Sequence, residues 1–190
     1  VPPHAEANHL RGVVRLAQER LDEALSHIAK AIQANPKNHQ YLGNMGVALN
    51  AARQHERAVE ALSRAIALKP DFAEAYSNRG MALRALGQYD DAVRSYEEAI
   101  RLKPREPGFY VNLANALDDA GRPHEALDAL DMALRLNPRH AKAQAGRISV
   151  LQALRRFDEA LSAAEVSVAA LPGNVDVLKA YGELLEKMGR

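Results

Sequence analysis

Cysteine is absent from the sequence, and so is tryptophan. Without a thiol there is no disulfide scaffold, no cysteine nucleophile, no thiolate zinc site and no iron–sulfur ligation. That absence is compatible with a reducing compartment. Aromatic residues make up only 5% of the chain. Neither sign of charge is in excess: 25 Lys and Arg against 24 Asp and Glu leave a formal net charge of +1. A chain so balanced has no electrostatic footprint for non-specific nucleic-acid binding. No stretch approaches the ~20 consecutive apolar residues of a membrane span. Neither a nucleic acid nor a membrane is therefore expected as a partner. What remains is an ordinary folded composition, with 47% hydrophobic and 26% charged residues among 190. That balance argues against disorder. The abundance of alanine suggests closely packed helices with small residues at their contacts.

The order of the residues is more telling than their frequencies. Pro2, Pro36, Pro70, Pro104, Pro138 and Pro172 are each 34 residues apart. Ala24, Ala58, Ala92, Ala126 and Ala160 repeat with the same period, as do Ala31, Ala65, Ala99 and Ala133, a row broken at Ser167. Gly12, Gly46 and Gly80 form a further row, continued by Ala114, broken by Ile148 and resumed at Gly182. Four rows in one register define an internal repeat, the first feature to seek in a sequence.

One unit, residues 73–106, shows what each repeat is. Tyr76, Arg79, Gly80, Leu83 and Leu86 recur at helical spacing and predict a first helix. Gly87 follows where a left-handed C-terminal cap is wanted. Tyr89-Asp90-Asp91 opens a second helix, with acids placed to complement the macrodipole. Ala92, Val93, Tyr96, Ala99 and Ile100 form its apolar stripe, and Pro104 stops it. The product is a helical hairpin. Small residues at Gly80, Ala92 and Ala99 let helices approach closely. No hairpin of this kind buries its own apolar faces, so neighbours must stack.

The pattern Tyr76…Gly80…Leu83…Ala92…Tyr96…Ala99…Pro104 resembles the tetratricopeptide repeat signature, and it recurs in register along essentially the whole chain. The resemblance implies an all-α fold, a right-handed α-solenoid of tandem helix-turn-helix units. First helices would line a concave groove and second helices the convex side. The predicted units are 5–38, 39–72, 73–106, 107–140 and 141–174. Residues 175–190 would supply one more first helix, of a sixth repeat or a cap. Departures are local. Pro123 stands where Tyr89 does, which suits a helix start. Glu19, Arg53 and Arg155 replace the turn glycine, at a cost of roughly 1 kcal/mol each if those turns need a positive φ. Repeat five is the least regular, with Gly146, Ile148 and Ser167.

The ends are also patterned. The opening VPPHAEA resembles NPRHAKA at 137–143, so residues 1–4 read as the tail of a preceding repeat. Gly189 falls where Gly87 and Gly121 lie, before a second helix that does not follow. The expectation is a segment excised from a longer array; the alternative is a solitary capping helix. The last helix carries Val177, Leu178, Tyr181, Leu184, Leu185 and Met188, too many apolar residues for one buried face. Self-association through the repeat ends is therefore expected.

Motifs for chemistry are lacking. The seven histidines, His4, His9, His27, His39, His55, His124 and His140, are scattered, and repeat geometry accounts for them better than metal ligation. Asp90-Asp91 sits at a helix start, and Asp118-Asp119 near the end of a groove-lining helix. An open groove does not offer the enclosed pocket that acid–base catalysis needs. Ser77 and Ser149 lack a nucleophile elbow. Gly43-Asn44-Met45-Gly46 matches a phosphate loop in composition only. No catalytic residue, cofactor or metal is expected, and the segment itself is not expected to be an enzyme.

The groove carries the functional expectation. The resemblance places the second, fifth, sixth, ninth, twelfth and thirteenth residues of each unit there. Asn44, Asn78 and Asn112 share the sixth position, with Asn115 at the ninth. Asn is a poor mid-helix residue, and two explanations stand: local hydrogen bonding within the repeat, or a row of amides for the backbone of an extended peptide. The second arrangement resembles the groove of the tetratricopeptide region of O-linked N-acetylglucosamine transferase. Around it lie Val47, Asn50, Ser77, Met81 and Arg84, and then Val111, Asp118 and Asp119. In the first unit Leu10, Val13 and Leu16 make the groove apolar. His9 and Val13 occupy the positions where some family members begin a carboxylate clamp, which is not recognisable here. The expected function is a non-catalytic scaffold that binds a peptide or helix of a protein partner in this groove. The alternative is the substrate-recognition arm of a longer enzyme such as a glycosyltransferase or sulfotransferase; RNA reading is disfavoured by the charge balance and the few groove aromatics.

Overall fold

The structure is a computed structural model that describes residues 3–189; Pro2, the first of the proline row, lies outside them. It divides into two compact units, Val1–Leu102 and Lys103–Arg190. The first contains α1 (Pro3–Ala17), α2 (Leu21–Ala34), α3 (His39–Ala51), α4 (His55–Leu68), α5 (Ala73–Ala85) and α6 (Tyr89–Leu102). The second contains α7 (Pro107–Asp119), α8 (Pro123–Leu136), α9 (Ala141–Ala153), α10 (Phe157–Ala170) and α11 (Val175–Lys187). Among the described residues there is no strand, and the fold class is an all-α helical-repeat solenoid.

Within each unit every helix packs on the next in sequence, and first helices also touch first helices, as α3 touches α5 and α9 touches both α7 and α11. Local chemistry sets the boundaries. Asn38 caps α3 by accepting from the backbone N–H of Gln40 at 2.9 Å. Asn174 caps α11 by accepting from Val177 N–H at 3.1 Å. Such caps satisfy amides that the first helical turn leaves without a partner. Pro107 and Pro123 open α7 and α8, where the missing N–H costs nothing. Pro36, Pro70, Pro104, Pro138 and Pro172 all lie in the turns that end a second helix. α1 begins at Pro3, so residues 3 and 4 are helical and the helix starts two residues ahead of the register of the other first helices.

The small residues mark the tightest contacts. A Cβ on Gly46 would lie 2.3 Å from Leu62 Cγ, and one on Gly80 would lie 2.8 Å from the Tyr96 ring. Ala24, Ala58, Ala92, Ala126 and Ala160 are fully buried, as are Ala31, Ala65, Ala99 and Ala133. The larger core residues fill the remaining space, with Tyr41, Leu62 and Tyr96 in the first unit and Leu130, Leu151 and Leu184 in the second.

The turn inside each hairpin has one backbone geometry whatever residue occupies it. Gln54 N–H donates to Leu49 C=O and Gln88 N–H to Leu83 C=O, both at 2.9 Å. Arg20, Arg122 and Arg156 make the same bond to the residue five before. That closure requires a left-handed residue just before the donor. Gly87 and Gly121 supply it with φ of 75° and 73°; Glu19, Arg53 and Arg155 adopt it at 59°, 58° and 60°. Repetition of the fold thus forces a positive φ on three residues with side chains.

Two stability outcomes follow from this packing. Glu19→Gly, Arg53→Gly and Arg155→Gly should each stabilise the fold by about 1 kcal/mol, read as a rise in midpoint on thermal or urea unfolding. Ala92→Leu should overpack a fully buried contact and cost about 1–3 kcal/mol in the same assay.

Candidate functional site

The sixth and ninth positions of the repeat form two adjacent rows along the first helices. In the first unit the sixth-position row is Leu10, Asn44 and Asn78, on α1, α3 and α5. The ninth-position row is Val13, Val47 and Met81. Leu10 is 55%, Val13 36% and Met81 45% exposed, an unusual exposure for such side chains. Asn44, Val47 and Asn78 are half-buried. A row of amides therefore runs beside a row of apolar side chains.

The amides are not equivalent. Asn44 Nδ2 donates to Nε2 of His9 at 2.7 Å. His9 is itself buried, its ring centroid 4.4 Å from that of Tyr41. Tyr41 OH donates to Glu6 Oε2 at 2.7 Å, and the other Glu6 oxygen stands 3.8 Å from His9 Nδ1. Burial, and then the hydrogen bond to the Glu6 carboxylate, push the Tyr41 phenol above its ordinary pKa. His9 Nδ1 has no hydrogen-bond partner among the described residues. Asn44 is thus tied to a buried cluster joining α1 and α3. Among the described residues the Asn78 side-chain amide, by contrast, has no such tie, and its backbone C=O accepts from Asn50 Nδ2 at 2.9 Å.

Asn50 is a strut between repeats. Its Oδ1 also lies 3.4 Å from His55 Nδ1, so both ends of its amide are engaged. The second unit contains the same strut: Gln152 Nε2 donates to Ala180 C=O at 3.3 Å, across the same 28-residue separation. Among the other sequence-predicted groove residues, Ser77 is buried and Arg84 half-buried on α5. Asn44, Val47, Asn50, Ser77, Asn78, Met81 and Arg84 are brought together on the neighbouring helices α3 and α5. Val111, Asn112, Asn115, Asp118 and Asp119 lie on α7 of the second unit, with Val111 buried, Asn112 half-buried and the other three exposed.

In the second unit Val111 and Asn115 line a cleft of about 340 Å³ together with Lys142, Ser149, Lys179 and Glu183. Those four were not assigned to the groove from the sequence, although they occupy second, fifth and ninth positions of the repeat. Carrying the groove register past the asparagines would have found them. The Glu6–Tyr41–His9–Asn44 cluster was also missed. Its signal is a polar pair 35 residues apart, one period plus one, which recurs between Gln152 and Lys187. Among the described residues no group of three or more His, Cys, Asp or Glu is placed to hold a metal ion. No helix among them is long and apolar enough to cross a membrane.

Tandem hairpins stacked through small residues, with polar and apolar rows along the first helices, define a helical-repeat protein of the interaction-scaffold class. Four family models, described as tetratricopeptide repeat or TPR repeat, match residues 5–38, 49–84, 73–106 and 111–175. The chain belongs to the tetratricopeptide-repeat family. Solved structures agree in fold. A thermophilic tetratricopeptide-repeat protein of Thermus thermophilus matches with a TM-score of 0.77 at 20% identity, over 96% of this chain and 99% of that one. PilF of Pseudomonas aeruginosa matches with a TM-score of 0.81 at 19% identity, over 98% and 85%. YrrB, a tetratricopeptide-repeat protein with an unusual peptide-binding site, matches with a TM-score of 0.67 at 25% identity, over 85% and 84%. No curated protein matches the sequence significantly.

The struts give a direct test of how the repeats are joined. Asn50→Leu and Gln152→Leu should each destabilise by about 0.5–1.5 kcal/mol, the net worth of the bond each amide makes to the next repeat. Chemical denaturation of the two variants measures this. A loss near zero would mean that packing alone fixes the repeat spacing.

Proposed function

We propose that the chain is a non-catalytic scaffold whose first-helix face in unit Val1–Leu102 holds an extended segment of a protein partner. Protein interaction is the general role of tetratricopeptide repeats; the finer reading rests on one observation. The apolar row Val13–Val47–Met81 runs beside the sixth-position row that ends in the untied amide of Asn78. An amide offers two donors and an acceptor, which matches the N–H and C=O of a peptide backbone. The apolar row offers contact to alternate side chains of the same strand. The peptide-binding site of YrrB supports a peptide as the class of ligand. Backbone recognition tolerates many sequences, so the partner motif is loose, with an apolar bias. Arg84, at the α5 end of the face, contributes orientation by charge. In unit Lys103–Arg190 the corresponding surface is Val111, Asn112, Asn115, Asp118 and Asp119 of α7 with the cleft beside them. The repeat units are 5–38, 39–72, 73–106, 107–140 and 141–174, and residues 175–190 begin a further one with α11 (Val175–Lys187). We further propose that the chain self-associates through its repeat ends.

A defined probe tests the peptide reading. Peptides selected from a random phage-displayed library on the immobilised chain are synthesised and titrated by calorimetry. Met81→Glu should weaken binding by tenfold or more, because it buries a charge against an apolar contact. Asn78→Ala should weaken it by about 0.5–1.5 kcal/mol without lowering the melting temperature. Asn44→Ala should lower the melting temperature as well, because His9 loses its donor. Unchanged affinity in both Met81→Glu and Asn78→Ala would reject this face as the binding element.

A further inference from the structure

The fourth position of the repeat reads Tyr76 and Tyr110 in the third and fourth repeats and Gln144 in the fifth. Gln144 keeps the polar contact of the tyrosine. Tyr110 OH donates to Pro104 C=O at 3.0 Å, and one period later Gln144 Nε2 donates to Pro138 C=O at 2.7 Å. That bond fixes the amide, because only its nitrogen can donate to a carbonyl. Gln144 Oε1 is left buried and without a hydrogen-bond partner among the described residues, on a side chain only 7% exposed. An unpaired buried acceptor is costly and calls for a donor. The ring of the tyrosine has no substitute. In the third repeat the Tyr76 ring packs against the core cluster containing Ile66, and Arg79 stands 5.2 Å from its centroid. In the fifth, Leu134 holds the place of Ile66 and Arg147 that of Arg79. Arg147 is held there by Nε donating to Asp131 Oδ1 at 2.7 Å.

Gln144 and Arg147 both line a cleft of about 440 Å³ between α8, α9 and α10, with Leu134, Pro138 and Val166 as apolar walls. Two more departures of the fifth repeat fall in the same cleft. Val166, 65% exposed, stands where earlier repeats carry Lys30, Arg64 and Glu98. Ser167 brings a hydroxyl where Ala31, Ala65, Ala99 and Ala133 have none. The corresponding place between α2, α3 and α4 is also an open cleft, although α5 and α6 follow it in the same unit. A following hairpin therefore does not cover this position.

We propose that the cleft between α8, α9 and α10 binds a tyrosine side chain of a protein partner. The ring lies beside Arg147 as Tyr76 lies beside Arg79, with the guanidinium against its face and Leu134 and Val166 against its edges. Its hydroxyl donates to Gln144 Oε1 and so reaches the Pro138 carbonyl through the amide. Phenylalanine would leave that acceptor unpaired, a carboxylate would add a second acceptor, and an ammonium would meet the charge of Arg147. The cleft is open at its rim, where Ser162 and Val166 are exposed. It surrounds a ring without enclosing a whole small molecule, which favours a side chain carried on a partner chain over a free phenol. The site uses the fourth and seventh positions of α9 with residues of α8 and α10, and none of the groove positions. It is therefore independent of the peptide face in the first unit.

Nuclear magnetic resonance of the labelled full chain tests this, with the acetylated and amidated tripeptide Ala-Tyr-Ala as probe. Saturable shifts should appear at the Gln144 side-chain amide and the Val166 methyl groups, with a Kd in the millimolar range expected of a single anchoring side chain. Ala-Phe-Ala should bind about two- to tenfold more weakly, the worth of one hydrogen bond, and Gln144→Leu should erase that preference. Gln144→Tyr restores the ring of the earlier repeats and should abolish binding in a folded chain. Val166→Glu changes only an exposed side chain and should weaken binding several-fold, because it sets a carboxylate against the ring. Free p-cresol should bind more weakly than the tripeptide. No saturable shift at the cleft up to about 20 mM tripeptide, or shifts that persist in both Gln144→Tyr and Val166→Glu, overturns the site. Equal affinity for the two tripeptides overturns the bond to Gln144, and p-cresol binding as tightly as Ala-Tyr-Ala overturns a protein as the source of the ring.

Discussion

The fold depends on the distance at which the two helices of a hairpin cross. At Gly46 and Gly80 the first helix presents no side chain, and Leu62 and Tyr96 occupy the space that a Cβ would need. The large residue of the second helix therefore reaches the backbone of the first, and the hairpin closes. Where glycine is lost, one position of the pair stays small and the other large. Ala114 stands with Leu130 in the fourth repeat. In the fifth the sizes are exchanged, with Ile148 on the first helix and Ala164 on the second, and both are fully buried. Volume-conserving exchanges of this kind are what a packed core tolerates best. The irregularity of the fifth repeat is thus a rearrangement of the same contact.

The close crossing has a consequence for the turns. Once the helices are held at a fixed distance, the connection between them must close in the same way in every repeat. The bond from the turn to the residue five before is present in all five hairpins. It imposes a left-handed residue even where the sequence offers Glu or Arg. A backbone preference of about 1 kcal/mol yields to a contact surface that buries several core residues. The tertiary constraint wins by magnitude, and Glu19, Arg53 and Arg155 record the outcome.

The period of 34 residues made the helices, the turns and the buried ladders legible before any coordinates, because each rests on residues at one position in every repeat. The contacts that decide how amides are used were much less legible. Asn44 and Asn78 look alike in sequence, yet Asn44 is held by His9 and Asn78 is not. The difference originates 35 residues away, in a neighbouring repeat, and no property of the asparagines announces it. Asn50 and Gln152 differ in length and still make the same strut. Such pairs follow from helix packing geometry, which fixes offsets of 28 and 35 residues between partners. A repeat sequence encodes them as cross-correlations between positions, a weaker signal than identity within one.

The same register explains how one scaffold carries two chemistries. A position on the groove side of a first helix is free to vary, because hairpin closure depends on the other side of that helix. The ninth position reads Val13, Val47 and Met81 in the first unit, and Asn115, Ser149 and Glu183 in the second. The sixth reads Leu10, Asn44 and Asn78, then Asn112, Gly146 and Ala180. In the first unit the result is an apolar row beside amides. In the second it is a cleft lined by small residues and carrying Lys142, Lys179, Asp176 and Glu183. Buried positions repeat because every hairpin must close, and groove-side first-helix positions diverge because hairpin closure does not depend on them. Divergence confined to one face of a conserved stack gives each unit its own surface without altering the packing beneath it.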